Sequence, residues 1–280
     1  MTSVSSVRGM KSVEQQRGPI FIGGAGRSGT TLMRMMLDAH PNICCGPELK
    51  VLPPIAQAFA CLSTNGSLME SYDCDVPDLQ YRFRELIEGL VANFRERSGK
   101  PRWAEKTPHN AIVMAPLAYV FPEARFLHVI RDGRDVACSL VNSNWIAASS
   151  GQPVEFTRNI ASAARYWRDV VRTAREHAAH PVLEGRVLEV RYETLVAETD
   201  RTLREVFRFL DEPWHDAVLH HYRKSRQHEA EETTTRAASK PVYDSAVGRW
   251  RSEMTSEDKA AFKAEADPLL RELGYATTEW

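Results

Sequence analysis

The chain has 280 residues, a hydrophobic content of 43% and a formal net charge of -1. That is enough apolar material for one α/β domain with a large core, and the near-neutral balance excludes broad binding to nucleic acid or anionic membrane, so an anion site here must be local. Met1 to Gly18 lack the apolar core of a signal peptide, and no run reaches bilayer-spanning length; the longest candidate, Ala111 to Phe121, is broken by Pro116.

Five cysteines without a disulfide framework or metal spacing fit a reducing compartment. The expectations are a cytoplasmic protein with no membrane partner, a mobile tail over residues 1–18 and a single domain over 19–280.

Taken in order, Ile20 to Gly23 is an apolar run without polar alternation and reads as a buried parallel strand. The glycines that follow make a tight loop. Gly29 to Ala39 is a helix ended at His40-Pro41, because a residue before proline avoids helical torsions. Such a strand, loop and helix start holds an anion: exposed N–H groups and the positive end of the helix dipole point at it, and glycine lets the backbone come close. Gly24-x-x-x-x-Gly29 matches the front of the nucleoside triphosphate P-loop, but Thr30 stands where that motif has Lys. Arg27 and the hydroxyls of Ser28, Thr30 and Thr31 suit a single terminal phosphate instead. An ordinary strand-to-helix turn is the competing reading of the glycines alone.

Asn42 to Pro54 returns across this loop as an irregular segment carrying Glu48 and Lys50 between Pro47 and Pro53. Ser63 to Asp78 reads as a surface loop. Phe83, Leu86, Ile87, Leu90, Val91 and Phe94 form the stripe of a packing helix, stopped by Ser98-Gly99-Lys100-Pro101. Arg102 to Glu105 is a short strand leading into Lys106-Thr107-Pro108. Phe126 to Ile130 is the clearest strand, turned by Arg131-Asp132-Gly133 into a helix running through Val141. A helix marked by Ile160, Trp167 and Ala174, a strand at Val187 to Arg191 and a helix striped by Leu203, Val206, Phe207 and Leu210 follow.

Strands alternating with helices imply a fold of class α/β, P-loop-like and three-layered, with a central parallel sheet flanked by helices and right-handed crossovers. Ligands of such sheets bind beyond the carboxyl ends of the strands. Gly24 to Thr31, Lys106, Arg131 and Tyr192 all fall there and are expected to converge on one edge. Arg223 to Ser245 mixes basic, acidic and Thr-rich stretches and reads as a mobile loop able to close over a ligand. His215, His220 and His221 are poorly spaced for a shared metal, and none is expected.

Arg27-Ser28-Gly29-Thr30-Thr31 resembles the 5′-phosphosulfate loop of sulfotransferases that use 3′-phosphoadenosine-5′-phosphosulfate (PAPS). Within that family the chain is more similar to the tyrosylprotein sulfotransferases, through Leu32-Met33-Arg34, Leu37-Asp38-Ala39-His40-Pro41, Cys45-Gly46 with Glu48, Arg131-Asp132-Gly133-Arg134, Arg191-Tyr192-Glu193, Lys240-Pro241-Val242 and Leu273-Gly274-Tyr275. The resemblance covers most of the chain. It implies transfer of a sulfuryl group from PAPS to an acceptor hydroxyl, leaving 3′-phosphoadenosine-5′-phosphate (PAP).

The same resemblance implies roles for residues. Arg27, Ser28, Gly29, Thr30 and Thr31 hold the 5′-phosphosulfate, Arg131 and Ser139 the 3′-phosphate, and Tyr192 and Arg249 touch the donor. For Arg131 the competing reading is a surface ion pair among Arg131, Asp132, Arg134 and Asp135; for Tyr192 and Trp250 it is core packing. Lys106 stabilises the departing phosphate. Glu48 occupies the place of the catalytic glutamate of tyrosylprotein enzymes and is the expected base, with Pro47 replacing a second family glutamate. His109 is the other candidate, similar to the histidine of cytosolic sulfotransferases but displaced by Pro108.

The acceptor implied is a phenol, tyrosine-like or an aromatic small molecule, and Lys50 favours anionic ones. Glu105-Lys106-Thr107-Pro108 is closer to the Glu-Lys-Thr-Pro of carbohydrate sulfotransferases, which keeps a sugar hydroxyl open. A P-loop kinase and a non-catalytic nucleotide-binding module are the alternatives outside the family, and a homodimer is left open.

Overall fold

The structure, a computed structural model, describes residues 17–143, 145–146, 151–224 and 238–275. Five strands pair in parallel in the order β2-β3-β1-β4-β5. They are β1 (Ile20–Gly23), β2 (Ile43–Cys45), β3 (Arg102–Lys106), β4 (Arg125–Ile130) and β5 (Val187–Arg191). Alternation along the strands divides the core in two. Phe21, Trp103, Phe126 and Ile130 face one helical layer, and Ile20, Ile22, Ala104, Leu127 and Val129 the other. The first layer contains α2 (Leu52–Leu62), α4 (Val76–Ser98), α5 (Met114–Val120), α6 (Gly133–Val141) and α7 (Ile160–Ala178); α1 (Thr30–Ala39) belongs to the second, and α3 (Gly66–Ser71) is a short surface helix. After β5 come α8 (Tyr192–Ala197) and α9 (Thr199–Phe209) in the second layer, then α10 (Trp250–Glu253) and α11 (Ser256–Glu272) in the first. This is the α/β three-layer arrangement expected.

The registers Ile22↔Lys106, Gly23↔His128 and Ile130↔Arg191 bring the carboxyl ends of β1, β3, β4 and β5 to one edge. Everything the sequence places just after a strand therefore meets there.

Several elements differ from expectation. The irregular segment 42–54 contains β2, an edge strand too short to show a period, and the start of α2, whose first turn accepts Pro53 and Pro54 because N–H groups there have no helical partner. The surface loop 63–78 is largely helical: α3 is capped by Asn65 and α4 starts ahead of its apolar stripe, with the Asp75 side chain accepting from Asp78 N at 2.9 Å. Residues 108–120, which carried no expectation of structure, form a 3-10 turn and α5.

The expected tail lies outside the described residues except for Arg17, which donates to Glu212 at 3.1 Å, and Gly18, whose carbonyl accepts from Arg102 Nε at 2.6 Å. Of the expected closing loop, residues 225–237 lie outside them. Among the described residues no helix is long and apolar enough to cross a membrane, and no three His, Cys, Asp or Glu side chains gather as ion ligands.

Candidate active site

The loop between β1 and α1 is held by close approach. Gly24 N donates to Pro108 O at 2.9 Å, and a Cβ at Gly24, whose φ is 154°, would stand 2.3 Å from Val129 O. Gly29, at φ 98°, presents its bare face to the Tyr192 ring, where a Cβ would lie 2.4 Å from Cδ2. That left-handed torsion is why α1 starts at Thr30 rather than Gly29. Arg27 also has a positive φ, 72°, an unusual torsion for a residue with a side chain.

One cavity of ≈ 220 Å³ at the sheet edge is lined by Arg27, Gly29, Thr30, Thr31, Arg131, Ser139, Tyr192 and Arg249. Eight of the nine expected donor-binding residues thus meet; Ser28 is buried beside them in the loop. Lys240, Pro241 and Tyr243, from the described end of the expected closing loop, and Ala246 just after it also line the cavity.

Arg27 Nε donates to Ser139 Oγ at 2.9 Å, and Arg131 Nη1 donates to Arg27 O at 3.1 Å. Arg131 also donates to Ala246 O and lies 3.8 Å from Asp135. It is 5% exposed, and the neighbouring Arg134–Asp132 pair is buried too, so the surface ion-pair reading of this stretch does not describe it. Burial, then the charges of Arg131 and Arg249, lower the Arg27 pKa. A site that crowds guanidinium groups in this way stabilises an anion placed among them. Two buried donors point the same way, because Ser28 Oγ and Arg131 Nε have no hydrogen-bond partner among the described residues.

Arg249 pairs with Glu253 through bonds of 2.7 and 3.0 Å, which raises its pKa. Trp250 is 1% exposed with Arg134 3.9 Å over its ring, so core packing, not a ligand face, describes its place. Tyr192 is buried as well, but its ring carries the Arg131 guanidinium and lines the cavity.

Next to this cavity, Lys106 ends β3 with no exposed surface. Its Nζ donates to Thr31 Oγ1 at 3.2 Å and to the Glu48 carboxylate. Lys50 Nζ stands 3.9 Å from the other Glu48 oxygen. His109 Nε2 lies 3.3 Å from Tyr166 Oη, and burial lowers the His109 pKa against an opposing pull from Glu48. Tyr166 in turn accepts from Gly26 N at 3.0 Å; burial raises its pKa to about 12.

Sequence reasoning missed Tyr166, which adjoins Trp167 but falls off the apolar stripe of α7. It also passed over Asp135, whose two oxygens accept from Trp250 N at 3.1 Å and Gly248 N at 2.8 Å and fix the root of the segment carrying Arg249.

Residues 19–216 match the profile of the sulfotransferase family. The protein-tyrosine sulfotransferase of Drosophila melanogaster is 30% identical over 268 residues, 91% of this chain and 51% of that protein, so the chain spans about half its length. Protein-tyrosine sulfotransferase 1 of Danio rerio is 31% identical over 268 residues, 91% of this chain and 72% of its own. In fold, the sulfotransferase domain from the Synechococcus PCC 7002 olefin synthase superposes with a TM-score of 0.64 at 21% identity, over 92% of this chain and 95% of that one. A glycine loop with threonine at the P-loop lysine position and a buried lysine reaching it from the neighbouring strand β3 accompany a family match over residues 19–216: the chain belongs to the sulfotransferase family.

Proposed function

We propose that this chain transfers a sulfuryl group from PAPS to the hydroxyl of a phenol, either tyrosine or an aromatic small molecule. The observation that carries the reading is Lys106, which joins the anion loop through Thr31 Oγ1 at 3.2 Å and the strap after β2 through Glu48. The donor supplies a sulfuryl group on a phosphate leaving group: the sulfur to acceptor-oxygen bond forms as the sulfur to phosphate-oxygen bond breaks, giving a sulfate ester and PAP.

The residues divide that work. Arg27, Ser28, Gly29, Thr30 and Thr31 hold the 5′ end of the donor, and Arg131 with Ser139 holds its 3′-phosphate. The Lys106 ammonium lies where negative charge grows on the departing phosphate oxygen, so it favours the transition state over the ground state. Glu48 removes the acceptor proton. A phenol, with a pKa of about 10, needs such a base at neutral pH.

The surroundings of the loop favour an aromatic acceptor. Phe156 stacks on Tyr166 with ring centroids 4.0 Å apart, and Trp145 lies edge-on to Phe156 at 6.2 Å. These rings adjoin Gly26 and give a flat apolar wall next to the transfer site. Lys50, whose side chain is 74% exposed, adds a positive charge at the rim that suits an acidic neighbour of the acceptor.

The test is transfer of radiolabelled sulfate from PAPS to a panel of phenols, tyrosine peptides and glycans, with calorimetry against PAP, ADP and ATP. Phenol or tyrosine sulfation with tight, magnesium-independent PAP binding is expected. Sulfation of glycans alone would reject the phenol; magnesium-dependent ATP binding in preference to PAP would indicate a kinase; PAP binding without any transfer would indicate a binding module.

A further inference from the structure

Glu48 is presented by a short strap, residues 46–50, that leaves β2 and enters α2. The strap is fastened by its backbone. Leu49 N donates to Glu105 Oε1 at 3.1 Å, and the next amide, Lys50 N, donates to Thr107 Oγ1 at 3.2 Å. Lys50 has a φ of 58°, a left-handed torsion that a residue with a Cβ keeps only when its surroundings hold it.

The two acceptors belong to one small network. The Thr107 hydroxyl donates to the same Glu105 oxygen at 2.7 Å, and Asn110 Nδ2 donates to the other at 2.5 Å. Asn110 Nδ2 also reaches Ile22 O at 3.4 Å, which ties the network to the end of strand β1 just before the glycine loop. Glu105 is 3% exposed, and burial raises its pKa.

A buried carboxylate is costly, and a hydrophobic residue of similar size would fill the space with less loss. Its hydrogen bonds go to the backbone of the segment that carries Glu48 and to the two side chains that brace it. Between Glu105 and Thr107 stands Lys106, whose own Nζ meets the Glu48 carboxylate. Three consecutive residues at the end of β3 thus fix one charged group and the segment that opposes it.

We infer that Glu105 and Thr107 are positioning residues that hold the Glu48 strap in register with Lys106 and so set the base at the acceptor oxygen. The inference rests on the reading of Glu48 as base. A strap released at Lys50 is free to leave its left-handed torsion, and a displacement of about 1 Å at a catalytic group costs about a hundredfold in rate.

The test compares Thr107→Val, which removes both the acceptor for Lys50 N and the donor to Glu105, with Thr107→Ser, which keeps both. Three quantities are measured: hydrogen exchange at the Leu49 and Lys50 amides, PAP affinity, and transfer from PAPS to a tyrosine peptide. In Thr107→Val the two amides should exchange at least about tenfold faster and turnover should fall about ten- to a hundredfold, while the PAP dissociation constant stays within about twofold and Thr107→Ser keeps both exchange and turnover near their original values. In a Glu48→Gln background, Thr107→Val should cost no further turnover.

Unchanged exchange at both amides overturns the inference, as does a loss of PAP affinity equal to the loss of turnover, or an equal turnover cost with and without Glu48. Full turnover in Glu48→Gln alone defeats the base reading instead, and the exchange measurement then decides whether the network holds the strap.

Discussion

The guanidinium of Arg131 lies over the ring of Tyr192, 4.7 Å from its centroid, while Tyr192 packs against the bare face of Gly29. The arginine proposed to hold the 3′-phosphate and the glycine of the loop proposed to hold the 5′-phosphosulfate therefore share one aromatic spacer. Arg131→Ala should weaken PAP binding by about 1.5–3 kcal/mol, the range for hydrogen bonds to a charged group. Binding of adenosine 5′-phosphosulfate, which lacks the 3′-phosphate, should change little. Calorimetry with the two ligands decides it, and equal losses for both mean that Arg131 serves the loop and not the phosphate.

What the sequence revealed follows from how each element is buried. β1 and β5 have the limits expected, Ile20–Gly23 and Val187–Arg191, because the continuous apolar run at the sheet centre and the short apolar-rich run at the sheet edge are both distinct from their flanks. β2 was invisible: three residues hold no period, and its place is set by pairing with Arg102 to Ala104. Pro53 and Pro54 concealed α2 by looking like breaks when they occupy a first turn. In the site, residues that follow strands were legible through topology. Tyr166 and Glu105 were not, since their roles come from hydrogen bonds between segments distant in the chain, to Gly26 N and to Leu49 N.

Lys106 is fully buried one hydrogen bond from Thr31 of the loop proposed to hold the donor. Its contribution should appear when charge develops, not when donor binds. Lys106→Ala is expected to lower turnover about 10²- to 10³-fold at saturating PAPS, with a much smaller change in PAP affinity. Single-turnover measurements separate chemistry from product release. An unchanged chemical rate would remove Lys106 from the reaction.

The last prediction concerns which residue takes the acceptor proton. Glu48 touches Lys106 directly, so a base there would face the group proposed to stabilise the leaving phosphate. His109 is turned toward Tyr166 Oη, 3.3 Å away, on the side of the loop where Tyr166 accepts from Gly26 N. Burial lowers its pKa from the usual imidazole value, which favours the neutral ring that can accept a proton; what separates the two candidates is direction. If His109 were the base, activity would rise as pH climbs through its lowered pKa, and His109→Ala would remove that limb together with the activity. With Glu48 as base, Glu48→Gln removes most turnover at saturating PAPS while PAP still binds. His109→Ala then keeps most of its turnover and the shape of its pH profile, losing only what the contact with Tyr166 contributes to the acceptor wall. Both variants are compared across pH 5 to 9, after PAP calorimetry has shown that each retains a formed donor site. An active Glu48→Gln beside a dead His109→Ala assigns the proton to the histidine and sets Glu48 aside as a partner that only neutralises Lys106.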